Sequence, residues 1–260
     1  MKSSIVAILA VSLISSCATT FDKSRPTTVE ADASYASAYW FRGTPVNVKG
    51  VYQGSVSASM PTADGGALGA SSWVNIDAGK KTGDAISPDG NQRDFTEVDF
   101  TLDYSKTIGE FDTTAGFISY HFPNGVGGST LEAYFNVAQA LSFMDHGLTL
   151  YWDVDELGGF YATYDASRSF ELAEDWVLSL SALAGYMDGE QAEFYFGLDE
   201  SGVSDVVASA TVEYQFDEMT TFFFSANGVT PLDSDLQDAL DDAGLEDSGA
   251  WFAIGASWGF

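Results

Sequence analysis

Basic residues are scarce in this chain. Ten Lys and Arg stand against 38 Asp and Glu, for a formal net charge of −28. So acidic a surface excludes nucleic acid as a partner, because it repels the phosphate backbone. Cysteine is reduced to Cys17 alone, so no internal disulfide can form. Histidine occurs twice and proline six times, which leaves little for imidazole chemistry and few interruptions to extended chain. After the first 16 residues no apolar run nears the roughly 20 residues of a membrane-crossing helix. Any crossing must therefore be done by strands. Disorder is excluded as well, since 45% of the residues are hydrophobic and 14% aromatic.

The residues in surplus suit strands: 26 Gly, 19 Phe, 12 Tyr and 6 Trp. The acidity fits a saline habitat, divalent cations or a cation-preferring pore. At the N-terminus, Lys2 precedes an apolar run from Ile5 to Ile14, the core of a signal peptide. It runs into Leu13-Ile14-Ser15-Ser16-Cys17, which reads as a lipobox with Cys17 as the acylated residue. Cleavage after Ala18, without lipid, is the other reading. The first divides the chain into a signal peptide (1–16), a periplasmic tether (17–28) and a barrel domain (29–260).

The C-terminus carries the strongest pattern. Phe252, Ile254, Ala256, Trp258 and Phe260 fall on one face of an extended strand, with small residues on the other. A lipid-facing side and a lumen-facing side give that division in a membrane β-barrel. Gly255, Trp258 and Phe260 are spaced as in the C-terminal signal read by the barrel-assembly machinery, with Ala253 where a polar residue is usual.

Alternation bounded by Gly, Pro, Asn and Asp predicts twelve strands. They lie near 29–42, 48–60, 67–79, 94–106, 111–122, 129–141, 147–155, 159–170, 175–187, 204–215, 219–228 and 249–260. Their connections alternate between a uniformly tight set and a variable set with long members at 80–93, 188–203 and 229–248. Short turns inside and long loops outside are the arrangement of an even-stranded outer-membrane barrel. Within 188–203, Phe194-Tyr195-Phe196 reads as a strand or a hairpin extension.

The same period assigns faces. Val98, Phe100, Leu102 and Tyr104 oppose Glu97, Asp99 and Asp103; Leu148, Leu150, Trp152 and Val154 oppose Thr149, Tyr151, Asp153 and Asp155. A charge facing lipid at the midplane costs roughly 2–4 kcal/mol for Lys or Arg, so the charged sets face the lumen. The expected lumen set is Arg42, Lys49, Asp77, Glu97, Asp99, Asp103, Glu132, Asp153, Asp155, Asp165 and Glu213, with Glu30, Asp32 and Asp205 also inward. Walls so rich in acid favour cations if water passes. Twelve strands leave an interior between filled and wide, so pore and plug are both open.

In the loop 229–248, Ser234 and Gln237 read as a capping box. Leu236, Ala239, Leu240 and Ala243 then share one helical face, closed by Gly244. This predicts a short helix over or inside the outer mouth. Its acids, and the fragment Asp153-Val154-Asp155, do not fit an EF-hand loop. No metal or cofactor is assigned. Catalysis has one candidate: Ser119 and His121 share a strand face, as in the lipid-facing Ser/His/Asn sites of outer-membrane phospholipases. Asn136 is expected opposite Gly116, too far along to orient His121, and no enzyme is assigned.

Ala33-Ser34-Tyr35-Ala36-Ser37-Ala38-Tyr39-Trp40-Phe41-Arg42-Gly43 resembles the opening strand of the TorF-type outer-membrane porins, the Gcw_chp family. Ser72–Asp77, Glu97–Phe100, Gly116–Asn124 and Leu131–Tyr134 extend the resemblance over residues 30 to 190. From Phe194 onward the chain is similar to the MipA/OmpV type of barrel. The resemblance implies a porin fold in the outer membrane of a Gram-negative bacterium. The reading is an all-β, transmembrane, antiparallel up-and-down barrel of about twelve strands. It passes small hydrophilic solutes or ions, with outer-membrane lipids around it and oligomeric state unassigned. A closed barrel acting as a scaffold through its acidic loops is the alternative, and a periplasmic sandwich tethered by Cys17 is the third.

Overall fold

The computed structural model describes residues 24–78, 95–124 and 128–260. Cys17 and the expected signal peptide lie outside the described residues, as does the whole of the expected loop 80–93. Twelve strands form one closed antiparallel barrel: β1 (Thr28–Ala36), β4 (Val51–Pro61), β5 (Ala67–Asp77), β6 (Phe95–Ile108), β7 (Phe111–His121), β8 (Thr130–Ala140), β9 (Asp145–Asp153), β10 (Phe160–Ala173), β11 (Trp176–Met187), β12 (Gly202–Gln215), β13 (Thr220–Thr230) and β14 (Gly249–Gly259). Each pairs with its neighbour in sequence. β1 pairs with β4 on one side and β14 on the other, which closes the ring. The expected fold class is the observed one.

Why these segments are strands follows from their period. Paired residues share a face, so the ladder carries orientation around the barrel. Asp32 opposes Ser55, Ser55 opposes Trp73, Trp73 opposes Asp99 and Asp99 opposes Tyr120. This row faces the lumen. The alternate row holds Tyr52, Val56, Leu102, Phe117, Phe135, Leu150, Phe224 and Ile254, all exposed and apolar. Each strand of the ring is hydrogen-bonded to a neighbour on both sides, so the sheet presents no open edge, as a lipid-exposed sheet demands. Aromatics gather near both ends of the outer face, such as Tyr35 with Tyr52 and Phe252 at one end and Trp176 with Tyr214 at the other.

Connections at one end are tight. Gly109 (φ 66°) and Asp175 (φ 66°) take the left-handed conformation these turns need. By the barrel rule this is the periplasmic end. Two turn carboxylates there are held by local donors. Asp64 accepts from the Thr62 and Tyr104 hydroxyls at 2.6 Å each and from Lys106 at 2.9 Å. Asp217 accepts from the amides of Met219 and Thr220 at 2.9 and 2.8 Å. These bonds hold both carboxyls below the ordinary range. Because the folded values are depressed, this stabilisation is complete above the unfolded value of about 3.9 and is lost as pH falls below it. The Met219 amide resonance should therefore hold steady from about pH 7 to pH 5 and titrate only below that value. A midpoint at or above it would refute the assignment.

The other end carries the departures from the sequence reading. The first strand stops at Ala36 rather than running to 42. Residues 39–47 form a separate hairpin, β2 (Tyr39–Phe41) and β3 (Thr44–Asn47), outside the barrel ladder. The segment with Phe194-Tyr195-Phe196 is helix α1 (Gly189–Phe196), not a strand; Asp188 caps it by accepting from the Gln191 amide, and Gly197 (φ 72°) ends it. The one helix expected, in the loop 229–248, is α2 (Ser234–Asp242), but its cap is Asp233, one residue earlier than Ser234. Gln237 donates instead to the Pro231 carbonyl at 2.6 Å, so the capping box does not form. Leu236 and Leu240 are buried with Ala192, Phe196, Tyr161 and Met187. The apolar core of the described structure thus sits at the outer end of the barrel, where α1 and α2 pack inside the rim.

Candidate functional site

The hairpin β2–β3 is the centre of the site. Phe41 pairs with Thr44, leaving Arg42 (φ 50°) and Gly43 (φ 84°) as a two-residue turn. Positive φ at both central positions is the type I′ pattern that hairpins favour. The hairpin packs within the barrel wall. At its base, Asn47 donates to Asp77 at 2.7 Å, and Tyr39 donates to Glu97 at 3.0 Å and stacks at a tilt on Trp73. At its tip, Gly43 lies against the Ser204 carbonyl of β12 so closely that a Cβ would collide with it. Trp40 lies over Gly249 of β14 with the same lack of room.

Arg42 spans the lumen. Its guanidinium donates to both carboxylate oxygens of Glu132 at 2.7 Å and to the Gln191 side-chain carbonyl of α1 at 3.0 Å. It sits over the rings of Tyr161, Phe41, Tyr151 and Tyr195 at 4.4 to 5.9 Å from their centroids. The Tyr120 hydroxyl donates to Glu132 at 2.9 Å. Both partners of the ion pair are almost fully buried. A planar fork matched to a carboxylate and stacked on rings is the arrangement for which Arg has no substitute. Arg42 is thus the fastening that holds β2–β3 against β8, β9, β10 and α1.

Below the hairpin lies a cavity of about 660 Å³, lined by Trp40, Phe41, Arg42, Tyr151, Tyr161, Trp251 and the carboxylates of Asp165 and Asp205. A second space of about 410 Å³ opens at the periplasmic end beside Glu171 and Glu213.

The ladder places Glu97, Asp99, Asp103, Glu132, Asp153, Asp165 and Glu213 on lumen-facing positions, together with Asp77 at the outer end of β5. Asp205 and Glu30 and Asp32 share that face. Asp103 accepts from Tyr134 at 3.1 Å, and Asp32 accepts from the Ser55 hydroxyl. Two expected members stand elsewhere. Lys49 is exposed on the turn after β3, because the hairpin carries the chain away from the wall before β4 begins. Asp155 is exposed because β9 ends at Asp153. Asp153 instead accepts from the amides of Asp155, Leu157 and Gly158 at 3.0 to 3.2 Å, so this acidic fragment closes a loop on itself. Gln191 and Tyr195 escaped the sequence reading, which gave that stretch no helix.

Ser119 Oγ and His121 Nε2 are 2.9 Å apart on the lipid face. Asn136, however, pairs opposite Thr114 and faces the lumen, where it bonds Thr149 at 2.8 Å. The lipid-facing triad geometry is therefore absent at this dyad. At the C-terminus, Trp258 faces outward beside Ala31, Gly255 inward beside Ser34, and Phe260 exchanges backbone bonds with Val29.

A closed ring of strands with an apolar outer face and an acidic interior defines a β-barrel of the Gram-negative outer membrane. Among solved structures, it resembles an outer membrane channel from Pseudomonas putida F1, with 11% identity over 93% of this chain and 98% of that one and a TM-score of 0.54. It also resembles the NanC porin, with 10% identity over 88% and 98% and a TM-score of 0.51. At such identities the likeness speaks to the fold alone. No family model and no curated protein matches the chain.

Proposed function

We propose that this barrel is a porin-like channel for passive diffusion of small hydrophilic solutes, with a preference for cations. The observation that carries the reading is the charge of the wall. Among the described residues, Arg42 is the one base in the lumen, and Glu132 neutralises it. The inward carboxylates are left in excess along the whole height, the arrangement that favours cations in acid-lined pores. The hairpin narrows the outer half, so the solutes are small.

The test is single-channel recording of the refolded protein in a planar bilayer under a KCl gradient. Discrete steps with a cation-directed reversal potential are expected. Insertion without steps would sink the channel reading. It would favour the second reading, a closed barrel acting through its acidic outer loops, for which the apolar cluster of α1 and α2 over the outer mouth speaks.

Three finer points belong to the same proposal. Kinship with the TorF-type porins rests on the segments from Ala33 to Gly43 and Gly116 to Asn124. Gly255, Trp258 and Phe260 serve as the insertion signal for the barrel-assembly machinery. Cys17 serves as a lipid attachment residue.

A further inference from the structure

The cavity beneath the hairpin combines two recognition chemistries, aromatic faces and carboxylates. Its wall carries the indole rings of Trp40 and Trp251, and among the described residues neither ring is stacked on another. It also carries two carboxylates of unlike state. Asp205 is occupied: it accepts from the Tyr161 hydroxyl at 2.9 and 3.1 Å and from Ser204 at 2.7 Å. Asp165 accepts no hydrogen bond from any described residue. It lies half-buried across from Gly147, whose missing side chain leaves the carboxylate room. The single base in the wall, Arg42, already has its charge balanced by Glu132, outside the cavity lining. The cavity wall thus carries two carboxylates with no positive charge set against them, and of the two only Asp165 also lacks a donor.

What it would accept is indicated by what it already holds. The chain's own guanidinium is packed on Phe41, Tyr151 and Tyr161 from above. Aromatic faces attract such cations through their quadrupole, and more strongly where water is partly excluded. The volume, about 660 Å³, is that of a small-molecule pocket. Ser167, Ser181 and Ser209 add hydroxyls for a polar tail. An inorganic cation would use Asp165 and leave the indoles idle; an anion would meet two carboxylates.

We propose that this cavity is a binding station for small organic cations of the guanidinium or alkylammonium class, with the cationic head on Asp165 and the body against Trp251 and Trp40. The proposal rests on the channel reading for its biological use, but binding itself does not require conduction.

The experiment is a titration of the refolded full chain in detergent with agmatine, read by tryptophan fluorescence, and with butylurea as the uncharged counterpart. Saturable change with agmatine and none with butylurea is expected. Trp251→Phe should remove most of the signal. Asp165→Asn should weaken agmatine at least tenfold while its heat-modified gel mobility stays that of the folded barrel. Equal response to butylurea, or unchanged affinity in Asp165→Asn, overturns the proposal. Glu171→Gln, at the periplasmic mouth, controls for general loss of negative charge and should leave affinity unaltered. Bilayer recording with agmatine separates the two readings. Binding without KCl steps retires the channel and keeps the station. KCl steps without saturable agmatine binding keep the channel and retire the station.

Discussion

Arg42→Ala should destabilise the folded barrel by about 3–5 kcal/mol, the usual cost of removing one partner from a buried ion pair. The reason is what remains. The Glu132 side chain is only 2% exposed and would keep one donor, Tyr120, in place of three. Four ring contacts vanish with the guanidinium, and the hairpin tip loses its hold on Gln191. Withdrawal of the hairpin, with entry of water, relieves the stranded carboxylate. A lower urea midpoint in lipid vesicles is therefore expected together with a larger unitary conductance. Arg42→Lys should recover little, because an ammonium cannot span both oxygens. The double variant Arg42→Met with Glu132→Leu removes both charges and should fall well short of the single loss. A single variant no worse than the double would remove the ion pair from any role in fastening the hairpin.

Leu102→Arg should cost roughly 2–4 kcal/mol, the penalty for a base facing lipid near the midplane. Leu102 is 57% exposed, lies between Ala70 and Phe117, and sits midway along β6. Thr101, one residue before it, faces the lumen between Ser71 and Ile118. Thr101→Arg should leave the urea midpoint nearly unchanged and move the reversal potential toward anions. The pair is informative because composition and strand position are the same and only the face differs. Equal destabilisation by the two would contradict the orientation of the whole wall, since the ladder ties every other strand to this one.

Most of the wall was legible in the sequence because alternation is a direct physical signal: lipid and water select opposite residues at successive positions. The twelve barrel strands fall within a few residues of expectation, apart from the first, and the inward acids from Glu97 to Glu213 fall on the expected face, apart from Asp155. The hairpin was not legible, and the reason is local. Tyr39-Trp40-Phe41 continues the alternation of β1 with residues that suit an aromatic belt, and Ser37-Ala38 carries no turn signal. Only Arg42-Gly43 marks a turn, and a strand end accounts for it equally well. Lys49 and Asp155 were misplaced by the same means, since period alone cannot tell where a strand stops. In α1 three aromatics in a row suggested a strand. The helix is decided by the Asp188 cap and by burial of Ala192 and Phe196 against α2, a contact distant in sequence. The cluster around Arg42 draws on β2, β8, β9, β10 and α1, and no local window contains it.

The pairing of β1 with β14, sealed by the mutual bonds of Val29 and Phe260, governs how such a molecule can be made. Until these two strands meet, the sheet has two raw edges, and hydrocarbon offers nothing to bond them. Insertion strand by strand would strand those edges in the membrane. The clasp that completes the cylinder is therefore also what takes the last unpaired edges of the sheet out of contact with hydrocarbon.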